Sequence, residues 1–371
     1  MIRIIQVAPE IGPGTGVGGV AYHLESQWQR AGIPTARFTL AEARGRWLPA
    51  PGPGVRGKLA VLARVVWFST VGSVLARRVA RRNPGAVVVC HNDALVGDVY
   101  VNHGVVVEAM RQRGQPLVRL VRNPLHPFTV ARDAVRYRSA RVHQVVVNLT
   151  AADDAALRRT FRKVRPRSVV IGNGVDPERF RPPTADERGT ARDRLGLADD
   201  DRAVLFVGHE FDRKGLPQIV AAVADLPSTT HLVVVGGTPD LVSGIERSHG
   251  AQLLGARLHL LGPVADPRWV FHGCDVFVLA SAYEAYPLVV LEALASGLPV
   301  VTTRVGSASE LIADGANGHV VERTPASIRR GIEAALSGDP QAARSAARST
   351  ALEHTWDVVA ARYLALFEEL R

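Results

Sequence analysis

Three segments of this 371-residue chain have residue types and spacings that could do chemistry. The first runs from Ser281 to Val300. Glu284 stands in a loop after an apolar run, and Glu292 follows eight residues later on a Leu/Val/Ala stretch read as a helix over Pro287–Ser296. A carboxylate among apolar residues is costly unless it binds something. Pro287 suits the first helical turn, so the N–H groups of Leu288 and Val289 would point outward, toward an anion. Two carboxylates flanking such a helix end suit a sugar on one side and a ribose on the other. The second segment is Val204 to Leu216, where a buried strand ends at Gly208 and Arg213-Lys214 precede a helix. Two cations beside a helix N-terminus make a diphosphate clamp, each charge-assisted bond contributing about 1.5–3 kcal/mol. Lys214 is one of three lysines beside 42 arginines. A solvated pair of loop charges is the plainer reading of the same residues. In the third segment, Gly12, Gly14, Gly16, Gly18 and Gly19 follow a first strand. Glycines at a strand–helix junction let backbone N–H groups approach a phosphate. The spacing is not that of a dinucleotide fingerprint, and a merely flexible loop fits equally well.

These segments need elements to position them. Near-continuous Val/Ile/Leu runs predict strands at 2–8, 86–90, 99–102, 142–148 and 168–171, then at 203–207, 231–235, 258–261, 276–279 and 300–303. Such runs suit parallel strands buried on both faces. Helical patterns lie between them at 19–31, 58–82, 216–226, 287–296 and 325–336. The alternation predicts doubly wound parallel sheets, with ligands outside the carboxyl ends of the strands. A Gly/Pro cluster at 173–183 marks the boundary, and the length suits two domains at roughly 150 residues each. The Gly/Pro/Arg-rich stretch 44–57 reads as a surface loop.

Composition excludes other classes. Apolar residues are 47% and charged residues 22%, ordinary for a globular chain. Cys90 and Cys274 sit in apolar runs, as reduced thiols would. The apolar run Val65–Ala76 is shorter than the roughly 20 residues of a spanning helix, and the first nine residues read as a strand, not a cleavable leader. The net charge of +10 is uneven: residues 1–180 hold 27 basic and 11 acidic side chains, giving +16, and residues 181–371 give −6. A basic half fits an anionic partner, and Arg-rich genomic composition fits it equally.

With these motifs in place, the chain resembles the retaining glycosyltransferases of family four, which have the GT-B fold. The Glu284/Glu292 spacing resembles their Glu-x7-Glu motif. The likeness extends to the glycine-rich loop, Ile171–Asp176, Val207–Gly215, Val235–Gly237, Gly273–Ser281, Arg304–Glu310 and the His354-Thr355-Trp356 start of a last helix. The resemblance implies two Rossmann-like α/β domains facing a central cleft. An N-terminal acceptor domain (1–175) and a donor domain (176–354) are followed by a C-terminal helix (355–371) crossing back to the first. It further implies transfer of a sugar from a nucleoside-diphosphate sugar, UDP slightly favoured over GDP, with no metal or other cofactor. Arg213, Lys214 and His209, with the backbone of Gly18, Gly19, Leu288 and Val289, would hold the diphosphate. Glu292 would hold the ribose, Glu284 the transferred sugar, and the backbone near Val264 the base. His103, after the strand 99–102, matches the family's histidine near the transferred sugar, with His91 as its rival; either could be a hydrogen-bonded core histidine. Two positions depart from the pattern: His209 stands where the family has Arg, and Pro287 where Gly is common, removing one N–H.

The basic half would then face the acceptor. Arginines of 58–82 and Arg111, Arg113, Arg119, Arg122, Arg132, Arg136, Arg138 and Arg141 interleave with apolar residues. Such segments can dock on anionic lipid, so a cytoplasmic enzyme, peripheral at the inner membrane face and acting on a lipid-linked or anionic acceptor, is expected. Solvated arginines around an ordinary core fit equally. A GT-B sugar-nucleotide epimerase is the alternative enzyme. Nucleic acid is not expected, because no recognition motif accompanies the charge.

Overall fold

The computed structural model describes residues 2–371 apart from Thr15, Pro53 and Arg113. Thr15 of the glycine-rich loop and Arg113 of the basic segment therefore lie outside the described residues, as does Met1. The chain divides into two compact units, residues 1–173 with 356–371, and residues 174–355.

The first unit is built on six parallel strands: β1 (Arg3–Val7), β2 (Thr35–Phe38), β3 (Ala86–His91), β4 (Val99–Asn102), β5 (Val145–Asn148) and β6 (Arg167–Val170), in the order β2-β1-β3-β4-β5-β6. The second contains β7 (Arg202–Val207), β8 (Thr230–Val235), β9 (Leu258–Gly262), β10 (Val276–Leu279), β11 (Val300–Thr303) and β12 (Gly318–Val321), in the order β12-β11-β10-β7-β8-β9, again all parallel. Central strands such as β4, β5, β10 and β11 are buried at every residue, because helices cover both faces. The last helix, Trp356–Glu369, packs on Val17–Arg30 within the first unit: buried Trp28 donates Nε1–H to the Ala360 carbonyl at 3.3 Å and abuts Tyr363 and Phe367. Cys90 and Cys274 are both buried and free.

Three expectations need correction. β2 and β12 were absent from the sequence reading. Each is four residues long at a sheet edge, with partly exposed residues, so neither presents a continuous apolar run. The run Val65–Ala76 belongs to one 29-residue helix, Gly54–Arg82, with a π turn at Phe68–Gly72. By length and composition that helix is sufficient to cross a bilayer, although the run alone is not. Its Ala60, Phe68 and Ala76 are buried, and the Ser73 hydroxyl accepts from the Leu95 N–H at 2.8 Å. Finally, Arg132 and Arg136 are not part of a basic surface. Arg136 is fully buried, 3.8 Å from the Tyr100 ring centroid, and donates to Asp133 and to the Asn92 and Ala94 carbonyls. Arg132 is bound to Asp93 and Asp133. Local acids outweighed the segment's net charge.

Candidate functional site

The second unit gathers its proposed residues at the carboxyl ends of β7 and β10. The turn after β7 carries the short helix Phe211–Lys214, and Gly215 (φ +80°) starts the helix Leu216–Ala224. Only glycine suits this reversal: a Cβ on Gly215 would lie 2.1 Å from the Ala280 carbonyl oxygen. The turn is tied to the loop after β10, since the Ala282 N–H donates to the Arg213 carbonyl at 2.9 Å. Arg213 Nη1 donates to the Tyr283 carbonyl at 2.6 Å and to Glu284 Oε1 at 2.9 Å, while Arg213 also pairs with Glu210. Ser281 Oγ donates to the same Glu284 Oε1 at 3.0 Å. Both hydrogen bonds to Glu284 use Oε1, and among the described residues its Oε2 has no hydrogen-bond partner.

Lys214 is the distinctive group. Its side chain is 16% exposed, its ammonium lies 4.0 Å from Glu284 Oε1, and among the described residues it makes no hydrogen bond. Burial lowers its pKa, and Glu284 opposes that shift. A buried ammonium with its N–H donors unspent favours an anion. The stem of Lys214 lies against Gly208, where a Cβ would come within 2.4 Å of its Cδ. His209 next to it is exposed.

Leu288 and Val289 open the helix Leu288–Ala295, and Pro287 is its cap, one position earlier than expected. The Val290 N–H donates to the Pro287 carbonyl at 3.0 Å, and among the described residues the N–H groups of Leu288 and Val289 are unsatisfied first-turn donors. Glu292, one turn further on, is pushed up to about 7 by burial, with Arg179 and Lys214 pulling the other way. Its carboxylate has no hydrogen-bond partner among the described residues. Sequence reasoning missed Arg179; an arginine just past a predicted domain boundary offers no signal of its own. Arg179 also lines a cavity of about 810 Å³ with Val264, Arg194, Arg268 and Trp269, so the base-side residue Val264 and the ribose-side Glu292 share a neighbour.

In the first unit, Gly18 and Gly19 fall inside the first turn of Val17–Arg30, earlier than the expected start at Gly19. A Cβ on Gly19 would lie 2.0 Å from the Gly14 carbonyl oxygen, so the loop closes onto the helix only with glycine there. His91 and His103 are neighbours: His91 Nδ1 lies 3.1 Å from His103 Nε2. Sequence reading passed over Gln6, whose Oε1 lies 2.9 Å from His91 Nε2. A lone polar residue in the apolar strand β1 was the available signal.

Comparison with known proteins agrees with this architecture. Residues 187–351 match the family of group 1 glycosyl transferases. Among curated relatives, D-inositol 3-phosphate glycosyltransferase of Streptomyces avermitilis is 33% identical over 52% of this chain and 44% of its own length. The protein of the same name from Geodermatophilus obscurus is 35% identical over 55% and 48%. The chain thus spans about half the length of these relatives. Among solved structures, WaaG, a glycosyltransferase involved in lipopolysaccharide biosynthesis, superposes with a TM-score of 0.76 at 20% identity over 99% of both chains. Anabaena HepE in complex with UDP and glucose gives 0.67 at 20% identity, also over 99% of both. The fold is GT-B, and within the second unit residues 187–351 are similar to the group 1 glycosyl transferases.

Proposed function

We propose that the protein is a retaining, α-forming glycosyltransferase that takes a sugar from a nucleoside-diphosphate sugar, UDP favoured over GDP. The observation that carries this reading is Lys214: an ammonium with unspent donors, beside Arg213 and two carboxylates, in the turn joined to the loop that opens the helix at Leu288. Lys214, Arg213 and the N–H groups of Leu288 and Val289 hold the diphosphate, with exposed His209 contributing on its flank. Glu292 accepts from the ribose diol, Val264 meets the base, and Glu284 turns its open Oε2 to the transferred sugar's hydroxyls. Charge develops on the departing diphosphate, so fixed cations and backbone donors accelerate the step by stabilising that charge. Neither carboxylate is needed as a nucleophile. The structure of HepE with UDP and glucose supports a UDP-sugar donor; relatives named as glycosyltransferases favour transfer over the epimerase alternative.

The acceptor is anionic or lipid-linked, and the protein works in the cytoplasm at the inner membrane face. Supporting this, the helix Pro116–Arg122 exposes Leu117, Val118 and Val121 next to exposed Arg122, and Gly54–Arg82 exposes Val55, Leu59 and Val74 among Lys58, Arg77, Arg78, Arg81 and Arg82. Exposed apolar side chains interleaved with cations suit an anionic bilayer surface. Product analysis after incubation with UDP-glucose and a lipid extract tests the reaction; an anomeric configuration opposite to the donor's would refute retention.

A further inference from the structure

The first unit buries a chain of four groups in which every proton can be assigned. Gln6 and His91 are both fully buried, on β1 and at the end of β3, and His103 follows β4. The Ala21 carbonyl, from the helix Val17–Arg30, lies 2.8 Å from one end of the Gln6 amide. A carbonyl oxygen only accepts, so that end is the NH2 and the other end is the oxygen. The oxygen faces His91 Nε2 at 2.9 Å, which must therefore carry a hydrogen. Burial pushes the pKa of His91 well below the usual range and that of His103 down to about 4, so both rings are neutral at pH 7. A neutral His91 with Nε2–H has a lone pair on Nδ1. The His103 Nε2, 3.1 Å away, must then donate to it. That leaves the His103 Nδ1 unprotonated, with no hydrogen-bond partner among the described residues.

We propose that Gln6 and His91 act as positioning residues that lock His103 in its Nε2–H tautomer, making its Nδ1 a fixed acceptor for a ligand hydroxyl. The lock rests on the hydrogen-bond geometry together with the neutrality of the two rings; the hydroxyl as its partner rests on the glycosyltransferase reading above. The arrangement gives His103 a definite chemical preference. It can accept from an O–H group and cannot donate through Nδ1, so it selects a ligand with a hydroxyl over one with a bare carbonyl or fluorine at that point.

Long-range 1H–15N correlation spectra of the full-length, 15N-histidine-labelled chain at pH 7 test the lock. His91 and His103 are both expected as Nε2–H tautomers. A proton on the His103 Nδ1, in either a neutral or a charged ring, overturns the proposal whatever the activity. Gln6→Met removes the acceptor, so His103 should populate both tautomers, and Gln6→Glu, which keeps an oxygen facing His91, should restore one. A single Nε2–H tautomer persisting in Gln6→Met overturns the role of Gln6; should Gln6→Met fail to fold, the wild-type spectrum alone decides the lock. With UDP-glucose as donor, Gln6→Met should lower kcat/KM about twofold as the competent tautomer fraction falls. His103→Ala should lower it about tenfold, about 1.4 kcal/mol. A locked His103 whose replacement leaves UDP-glucose turnover unchanged overturns the hydroxyl assignment and leaves the donor-domain reading standing.

Discussion

Lys214 and Glu292 carry the argument at the scale of single residues, because each is half-buried with no hydrogen bond to its charged group among the described residues, which a ligand would supply. Lys214→Ala is expected to lower kcat/KM with UDP-glucose at least tenfold, about 1.4 kcal/mol or more, in steady-state assays. Glu292 gives a test with a sign. Its pKa of about 7 means that the carboxyl is mostly neutral at pH 6 and mostly ionised at pH 8. An ionised carboxylate accepts more strongly from a ribose diol, so UDP-glucose should bind more tightly at pH 8 than at pH 6. In Glu292→Gln that difference should shrink, as read by calorimetric titration at both pH values. Much of this site was legible in the sequence, since Arg213, Lys214, Glu284, Leu288 and Glu292 lie in two short segments whose spacing follows from strand–turn–helix geometry. Arg179, Gln6 and the union of His91 with His103 were not legible. Each meets its partners only through the sheet or across more than 80 residues of chain, and no local periodicity reports that.

At the scale of elements, the two turns after β7 and β10 behave as one piece. The Ala282 N–H and the Arg213 carbonyl tie them, Arg213 reaches back to Tyr283 and Glu284, and Arg323 Nε donates to the Ala280 carbonyl at 2.9 Å. Gly215 sits at the closest approach, so Gly215→Ala forces a side chain into a left-handed conformation and against Ala280. It is expected to cost about 1–3 kcal/mol and to lower Tm measurably by calorimetry. The helix Leu288–Ala295 and the central strands were read from their apolar runs because both faces are buried. The edge strands β2 and β12 escaped because an edge needs no continuous apolar run, and the start of the helix Gly54–Arg82 shifted because Gly54 and Gly57 are poor helix formers that give no helical signal.

At the scale of the whole molecule, charge has been redistributed by the fold. The excess of cations in residues 1–180 is real, yet Arg132 and Arg136 lie inside, so the surface available to an anionic bilayer comes from other arginines and from exposed Leu117 and Val121. Val121→Asp should reduce sedimentation with anionic vesicles and leave the far-UV spectrum unchanged; equal, negligible binding of the wild type to anionic and neutral vesicles would remove the membrane proposal. The buried histidines give a stability prediction. Burial depresses the pKa values of His91, His103, His143, His259 and His272 below their unfolded range, with His103 down to about 4. A depressed histidine contributes its full stability above about pH 6.5 and loses it as pH falls through the folded value. Glu292, raised to about 7, and Asp93, raised by burial, work in the opposite direction, but five histidines oppose two carboxyls, so Tm should be lower at pH 5 than at pH 7.5 in thermal unfolding. The most direct test of the donor-binding claim is calorimetric titration of UDP-glucose and GDP-glucose into the full chain and into Lys214→Ala. UDP-glucose is expected to bind the wild type more tightly than GDP-glucose and to lose at least about tenfold in affinity with Lys214→Ala; binding of neither nucleotide sugar, or equal binding to both proteins, would contradict it.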